Sequence, residues 1–154
     1  MGIKAPKIYF LMKGQVKLSD FGGAARIGQQ INTFNKHYSA PEVIFTAACT
    51  ETSDVYSLGV IIAQLITRRA AEDLGEVPRR PRPSTRDDRN EHISVQTNNA
   101  IRRQRYNIHN SISVANRENQ QIARSLIELA GGCMRHYANQ RPRIEEVVQT
   151  LAEL

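Results

Sequence analysis

The chain has no tryptophan and only two cysteines in 154 residues, and each scarcity narrows what it can be. Cys49 and Cys133 stand far apart with no second Cys or His at ligand spacing. That excludes a zinc module or a disulfide framework and leaves two ordinary reduced thiols. Long apolar runs are missing too. No stretch approaches the ~18 consecutive apolar residues of a membrane span, so signal and membrane-anchor readings have no support. Met1 and Gly2 begin like a myristoylation signal, but Pro6 stands where that signal needs Ser or Thr. With reduced thiols and no address to another compartment, the expected location is cytoplasmic.

What is present is one domain's worth of chain, 40% hydrophobic, with a formal net charge of +6. That is enough to bury a core, and the composition is that of a globular protein with a polar insert. The charge is concentrated. Between Arg79 and Arg105 there are eight Arg against three acids, in stretches such as PRRPRPSTRDDRN and NNAIRRQRYNIHNS. The sharp reading of residues 75–120 is an Arg-rich segment for RNA or phosphopeptide partners. The plainer reading is a solvated insert with little apolar area to offset its ordering entropy, and then residues 78–92 are the most mobile part of the chain. His92 and His109 stand among polar neighbours and read as surface residues.

Around that insert the patterning is orderly. Ile8–Met12 and Gln15–Ser19 are short apolar runs separated by Lys13 and Gly14, which predicts a hairpin over 8–19 with a glycine turn. Gly22 and Gly23 give its exit backbone freedom. Residues 24–39 form a polar loop. From Asp54 onward, Val55, Leu58, Ile61, Ile62, Leu65 and Ile66 recur at helical spacing, with Val60 and Ala63 on the other side, so a buried helix is expected over 53–69. Ser53 is its expected N-cap, and Asp54 suits the positive end of the helix dipole. Ile122, Leu126, Leu129 and Ala130 share one helix face that Gly131 and Gly132 are expected to stop. Pro142 then opens a last helix with Ile144, Val147, Val148 and Leu151 inward.

Two short strings give this frame a family. QVKLSDFG, Gln15 to Gly22, is followed by APE at Ala40 to Glu42. In order and at this spacing they resemble the magnesium-binding turn and the closing tripeptide of a protein kinase activation segment. SDVYSLGVIIAQLITRR, Ser53 to Arg69, resembles the central helix of a kinase C-lobe, and CMRHYANQRPRIEEVVQTLAEL, Cys133 to Leu154, resembles the closing helices, which the resemblance implies over 121–154. The wording SDVYSLGV and RPRIEEVV is similar to the tyrosine-kinase-like and receptor-like branch. The fold implied is mainly α with a small β-hairpin, a kinase-like C-lobe without the N-terminal lobe. ATP and magnesium are the implied cofactors and proteins the implied partners. By resemblance Asp20 binds magnesium and Phe21 packs to set its position within the cofactor-binding turn Asp20, Phe21 and Gly22. Glu42 pairs with Arg141, and Asp54 ties the central helix to the catalytic-loop backbone. Residues 20–42 are the implied activation segment, with Thr33, Tyr38 and Ser39 as candidate phosphorylation sites. Phe34 and Asn35 stand where Ser/Thr members usually carry Gly-Thr, and Phe34 is similar to the tyrosine-kinase wording, so the acceptor type stays open.

The same resemblance marks departures. IKAPKI, Ile3 to Ile8, falls where the family reads LKxxNI, with Lys4 at the loop lysine. That register puts Gly2 at the catalytic Asp and Lys7 at the Asn that binds the second magnesium. An ammonium cannot ligate a hard divalent cation. With no Gly-rich loop and no strand Lys ahead of Asp20 either, ATP and magnesium binding is expected to be weak or absent. Three functional readings follow. One is a fragment of an active kinase, which an upstream HRD and strand Lys would mark. The second is a stand-alone pseudokinase acting as a protein-interaction scaffold. The third is a nucleic-acid-associated protein using the Arg-rich segment, marked by a steep loss of RNA affinity with salt.

Overall fold

The computed structural model describes residues 3–11, 14–32, 34–74, 108–113 and 116–154. The expectations for residues 75–107, the most basic part of the chain, lie outside the described residues, as do Gly2 and Thr33.

The hairpin is short. Strands β1 (Ile8–Phe10) and β2 (Val16–Leu18) pair antiparallel in the register Ile8↔Leu18, Tyr9↔Lys17 and Phe10↔Val16. Gly14, at φ 73°, takes the left-handed turn position that a Cβ would disfavour. Beyond the hairpin the described structure is helical: α1 (Pro41–Thr46), α2 (Glu51–Thr67), α3 (Ala71–Leu74), α4 (Asn110–Ser113), α5 (Arg117–Cys133) and α6 (Ile144–Ala152). Helices α4 and the start of α5 occupy residues that composition had assigned to the polar insert. The fold is mainly α with one small hairpin.

Helix α2 organises the core. Val60, Ile61, Ile62 and Ala63 share one buried cluster with Tyr38, Ala40 and Val43 and with Ala130 and Met134 at the α5 end. Burying each large aliphatic side chain there contributes about 1.5–3 kcal/mol. Leu65 is an exception to the expected pattern, because it faces solvent and no described element covers that side. The helix also starts earlier than expected. Thr50, not Ser53, is the N-cap: its Oγ1 accepts from the Ser53 N–H at 3.2 Å while Ser53 Oγ accepts from the Thr50 N–H at 3.1 Å. Ser53 is thus the reciprocal half of a capping box whose N-cap lies three residues upstream.

Helix α5 runs through Gly131 and Gly132 to Cys133 and does not stop at them. Ala130, Cys133 and Met134 are all buried, and that packing outweighs the helix-weakening of two glycines. A third glycine makes the contact possible. A Cβ placed on Gly59 of α2 would lie 2.7 Å from Cys133 Cβ, 2.8 Å from Met134 Cγ and 3.0 Å from the Ala130 carbonyl oxygen. Replacing Gly59 by Ala gains about 1 kcal/mol of helix propensity but overpacks the seam, at a cost of ~1–3 kcal/mol. The expected result is a lower urea midpoint for Gly59→Ala; a midpoint equal to wild type or higher means the two helices separate freely.

Helix α6 follows Pro142 and Arg143, with the Glu146 carboxylate accepting the Arg143 N–H at 2.7 Å. Val147 alone of the four expected residues is inward, packed with Val55 and Cys133. Ile144, Val148 and Leu151 are exposed. Periodicity located the apolar stripe, but a helix this short buries only the part that meets its neighbour.

Candidate functional site

Two clusters carry the chemistry, one around Asp20 and one around Arg141. Asp20 follows β2 and precedes a 3-10 turn, Phe21–Gly23. Its backbone is left-handed (φ 58°, ψ 65°), whereas neither Gly22 nor Gly23 has positive φ. The conformational freedom expected of the glycines is therefore taken by the aspartate, at a strain cost of about 1 kcal/mol or more. Asp is among the few residue types that tolerate it. Phe21, expected to pack and set Asp20, is 56% exposed and belongs to neither core cluster.

Lys7 holds Asp20 instead. The hairpin register sets Ile8 opposite Leu18, and one step further out the Ser19 N–H donates to the Lys7 carbonyl at 2.8 Å. Lys7 itself is buried at the end of a 3-10 turn, Ala5–Lys7. Its Nζ donates to the Asp20 carbonyl oxygen at 2.8 Å and stands 3.3 Å from Oδ2. The Lys7 side chain is 9% exposed and that of Asp20 63%. Such an arrangement neutralises the carboxylate from within the chain. It leaves no oxygen partner for a metal at position 7, and among the described residues no group of three or more His, Cys, Asp or Glu could hold a metal ion.

The second cluster is polar and nearly dry. Arg141 spends all five guanidinium N–H groups: Nε on the Arg135 carbonyl (2.8 Å), Nη1 on Glu42 Oε1 (2.6 Å) and the Thr52 carbonyl (3.0 Å), and Nη2 on Glu42 Oε2 (2.8 Å) and the His136 carbonyl (2.9 Å). Its side chain is 0% exposed and that of Glu42 26%. The guanidinium also lies over the Tyr56 ring, 5.1 Å from its centroid. Glu42 sits in the first turn of α1 behind Pro41, where a carboxylate suits the helix dipole. The arrangement is a staple between the start of α1, the start of α2 and the turn before α6, and it has no catalytic group.

Between the clusters, residues 28–31 run antiparallel to 47–49, with Gly28 N–H on the Cys49 carbonyl at 2.9 Å and Ile31 N–H on the Ala47 carbonyl at 2.8 Å. Asn35 anchors the following turn. Its Oδ1 accepts the His37 N–H at 3.0 Å, and its carbonyl accepts the Ser39 hydroxyl at 2.9 Å. The sequence marked Asn35 only as standing where Ser/Thr members carry Thr and gave it no turn role, although Asn is a common turn former for this reason. Tyr38 and Ser39 are both buried. The Tyr38 hydroxyl donates to Gln64 Oε1 at 2.8 Å, and its carbonyl accepts from Ser57 Oγ at 2.8 Å. Either residue could be phosphorylated only after this turn opens.

Asp54 lies in the first turn of α2, and burial pushes its carboxyl above the usual carboxylate range. Burial likewise pushes the Cys133 thiol up to about 11. An ordinary thiol ionises near ~8.5, so the unfolded chain loses this proton first and the contribution to stability present below that pH is lost as pH rises towards 11. Both thiols are buried. Native protein is therefore expected to react with a maleimide or disulfide reagent far more slowly than unfolded protein at either site; labelling of Cys133 at the unfolded rate would contradict the α2–α5 packing.

A protein kinase domain profile matches residues 2–151. The chain belongs to the protein kinase family. It is similar to the proline-rich receptor-like protein kinase PERK3 of Arabidopsis thaliana, 31% identical over 97% of this chain and 29% of the relative. It is similar also to an Arabidopsis thaliana protein whose name describes a probable inactive receptor kinase, 27% identical over 99% of this chain and 23% of that one. A receptor-like cytoplasmic serine/threonine-protein kinase 5D of Gossypium barbadense, named as EPD1-interacting, is 31% identical over 98% of this chain and 32% of its own length. The chain thus spans about a third or less of the curated relatives it matches. Members of the family generally use ATP and magnesium and act on or with proteins. Among the described residues no helix is long and apolar enough to cross a membrane.

Proposed function

We propose that this chain is a cytoplasmic, non-catalytic kinase-family module that acts through protein contacts of its helical lobe. The observation that carries the reading is the Lys7 ammonium 2.8 Å from the Asp20 carbonyl and 3.3 Å from its carboxylate. In the family register, that position belongs to an oxygen ligand of the second magnesium. The same register sets Gly2 at the catalytic base. Beside it the described residues keep a framework: the saturated Arg141 cluster, the Asn35–Ser39 turn and the α2 core.

In this reading residues 20–42 are a closed counterpart of an activation segment, and 8–19, 53–69 and 121–154 are lobe framework. Asp20, Phe21 and Gly22 remain of a cofactor turn, and Glu42, Arg141 and Asp54 serve structure. The alternative of an active Ser/Thr or Tyr kinase fragment keeps the same framework but requires groups that residues 1–154 do not supply. The test is thermal stability with millimolar ATP and magnesium together. No increase in melting temperature is expected, because a ligand stabilises only in proportion to its occupancy of the folded state. A concentration-dependent increase abolished by Asp20→Asn overturns the non-catalytic reading and favours a nucleotide-binding one.

A further inference from the structure

We propose that the Lys7 ammonium is a resident replacement for the divalent cation at Asp20, so that the site takes no metal until position 7 carries an oxygen-bearing side chain. The inference rests on the reading of this chain as a kinase-family module, but its test needs no phosphoryl transfer. The Lys7 backbone is fixed independently of its side chain. Its N–H donates to the Lys4 carbonyl at 2.9 Å, and its carbonyl accepts the Ser19 N–H at 2.8 Å and, more weakly, Ser19 Oγ at 3.4 Å. The side chain therefore enters the site from a set position whatever it carries at its tip.

What it carries is a buried positive charge spent on two Asp20 oxygens. A magnesium ion on the Asp20 carboxylate would sit ~2.1 Å from an oxygen, within a few ångström of an ammonium that cannot ligate it. The local charge balance argues the same way. Residues 1–39 carry Lys4, Lys7, Lys13, Lys17, Arg26 and Lys36 against Asp20 as the sole acid. One carboxylate already paired, in a basic segment, offers a divalent cation neither net charge nor a ligand set. The pairing also has a purpose the metal does not explain. The carbonyl and carboxylate of a residue in left-handed conformation are gathered onto one cation, which holds that strained backbone in place.

The experiment titrates Mn²⁺ alone into the full 154-residue chain, followed by calorimetry and by the electron paramagnetic resonance signal of free Mn²⁺. Wild type is expected to show no saturable site. Lys7→Asn, or Lys7→Gln if the shorter amide fails to fold, is expected to show a saturable site at least about tenfold tighter than any residual, non-saturating wild-type binding, the lower end of what disturbing even a metal's outer shell costs. The gain should vanish in the Lys7→Asn, Asp20→Asn double variant. Wild-type binding as tight as that of Lys7→Asn overturns the inference, and so does a folded Lys7→Asn or Lys7→Gln variant that gains nothing. A second readout uses only the native position 7. Asp20→Asn in metal-free buffer should lower the melting temperature, since it leaves a buried ammonium without its counter-charge; an unchanged or raised value also overturns the inference. Phosphoryl transfer persisting in a chelator would defeat the non-catalytic reading and leave this metal exclusion standing.

Discussion

Arg141→Met is expected to lower stability by roughly 3–5 kcal/mol, the cost of breaking a buried ion pair by removing one partner. In a domain of this size that corresponds to a drop in Tm of about 10 °C or more. Against a total stability of ~5–15 kcal/mol, such a loss brings the chain near unfolding. The size follows from the acceptors left behind. The Thr52, Arg135 and His136 carbonyls and both Glu42 oxygens take every guanidinium proton, and none of these acceptors regains a donor from methionine. An unsatisfied buried polar group costs ~1–3 kcal/mol on its own. Glu42 at 26% exposure recovers some hydration, which keeps the sum well below the arithmetic total. Arg141→Lys should be nearly as damaging, because three donors on one point cannot reproduce a planar fork that reaches five acceptors. Glu42→Gln should cost less than Arg141→Met, since the amide oxygen still accepts one bond. Thermal unfolding of the three variants decides it: unchanged melting temperatures for Glu42→Gln and Arg141→Met would mean the staple carries no stability.

That cluster also shows where sequence reading reached and where it stopped. Glu42 and Arg141 are 99 residues apart, and nothing in spacing or composition joins them; family resemblance alone did. The remaining contacts of Arg141 go mostly to backbone carbonyls, which carry no side-chain signature. Tyr56 beneath the guanidinium was hidden inside an apolar helix pattern. By contrast the α2 core was legible apart from the exposed Leu65, because apolar residues at helical spacing leave few ways to place them. Helix ends were less so. A capping box begun by Thr50 and helix packing that carries α5 past Gly131 are both decided by neighbours. The approach of Lys7 to Asp20 had a local cause: once Ile8 pairs with Leu18, residues 7 and 19 are adjacent and the lysine needs only its own length to reach Asp20.

The purified chain is expected to transfer no phosphate from labelled ATP and magnesium to generic protein substrates above the level of an Asp20→Asn control. Phosphoryl transfer is catalysed almost entirely by positioning and charge neutralisation, through a glycine loop, a strand lysine, a catalytic aspartate and metal sites acting together. Residues 1–154 supply Asp20 from this set, and the register proposed above puts Gly2 and Lys7 where the family carries the aspartate and the metal-binding asparagine. Groups that act as a unit do not share the rate in proportion, so one survivor retains almost none of it. Asp20 is moreover engaged by Lys7, whose Nζ donates to its carbonyl at 2.8 Å and stands 3.3 Å from its Oδ2. Restoring the asparagine at position 7 should return a metal ligand without returning transfer, since the base and the nucleotide clamp are still wanting. Transfer by wild type that disappears in Asp20→Asn would show that one aspartate beside a lysine suffices, and the chain would then be an enzyme.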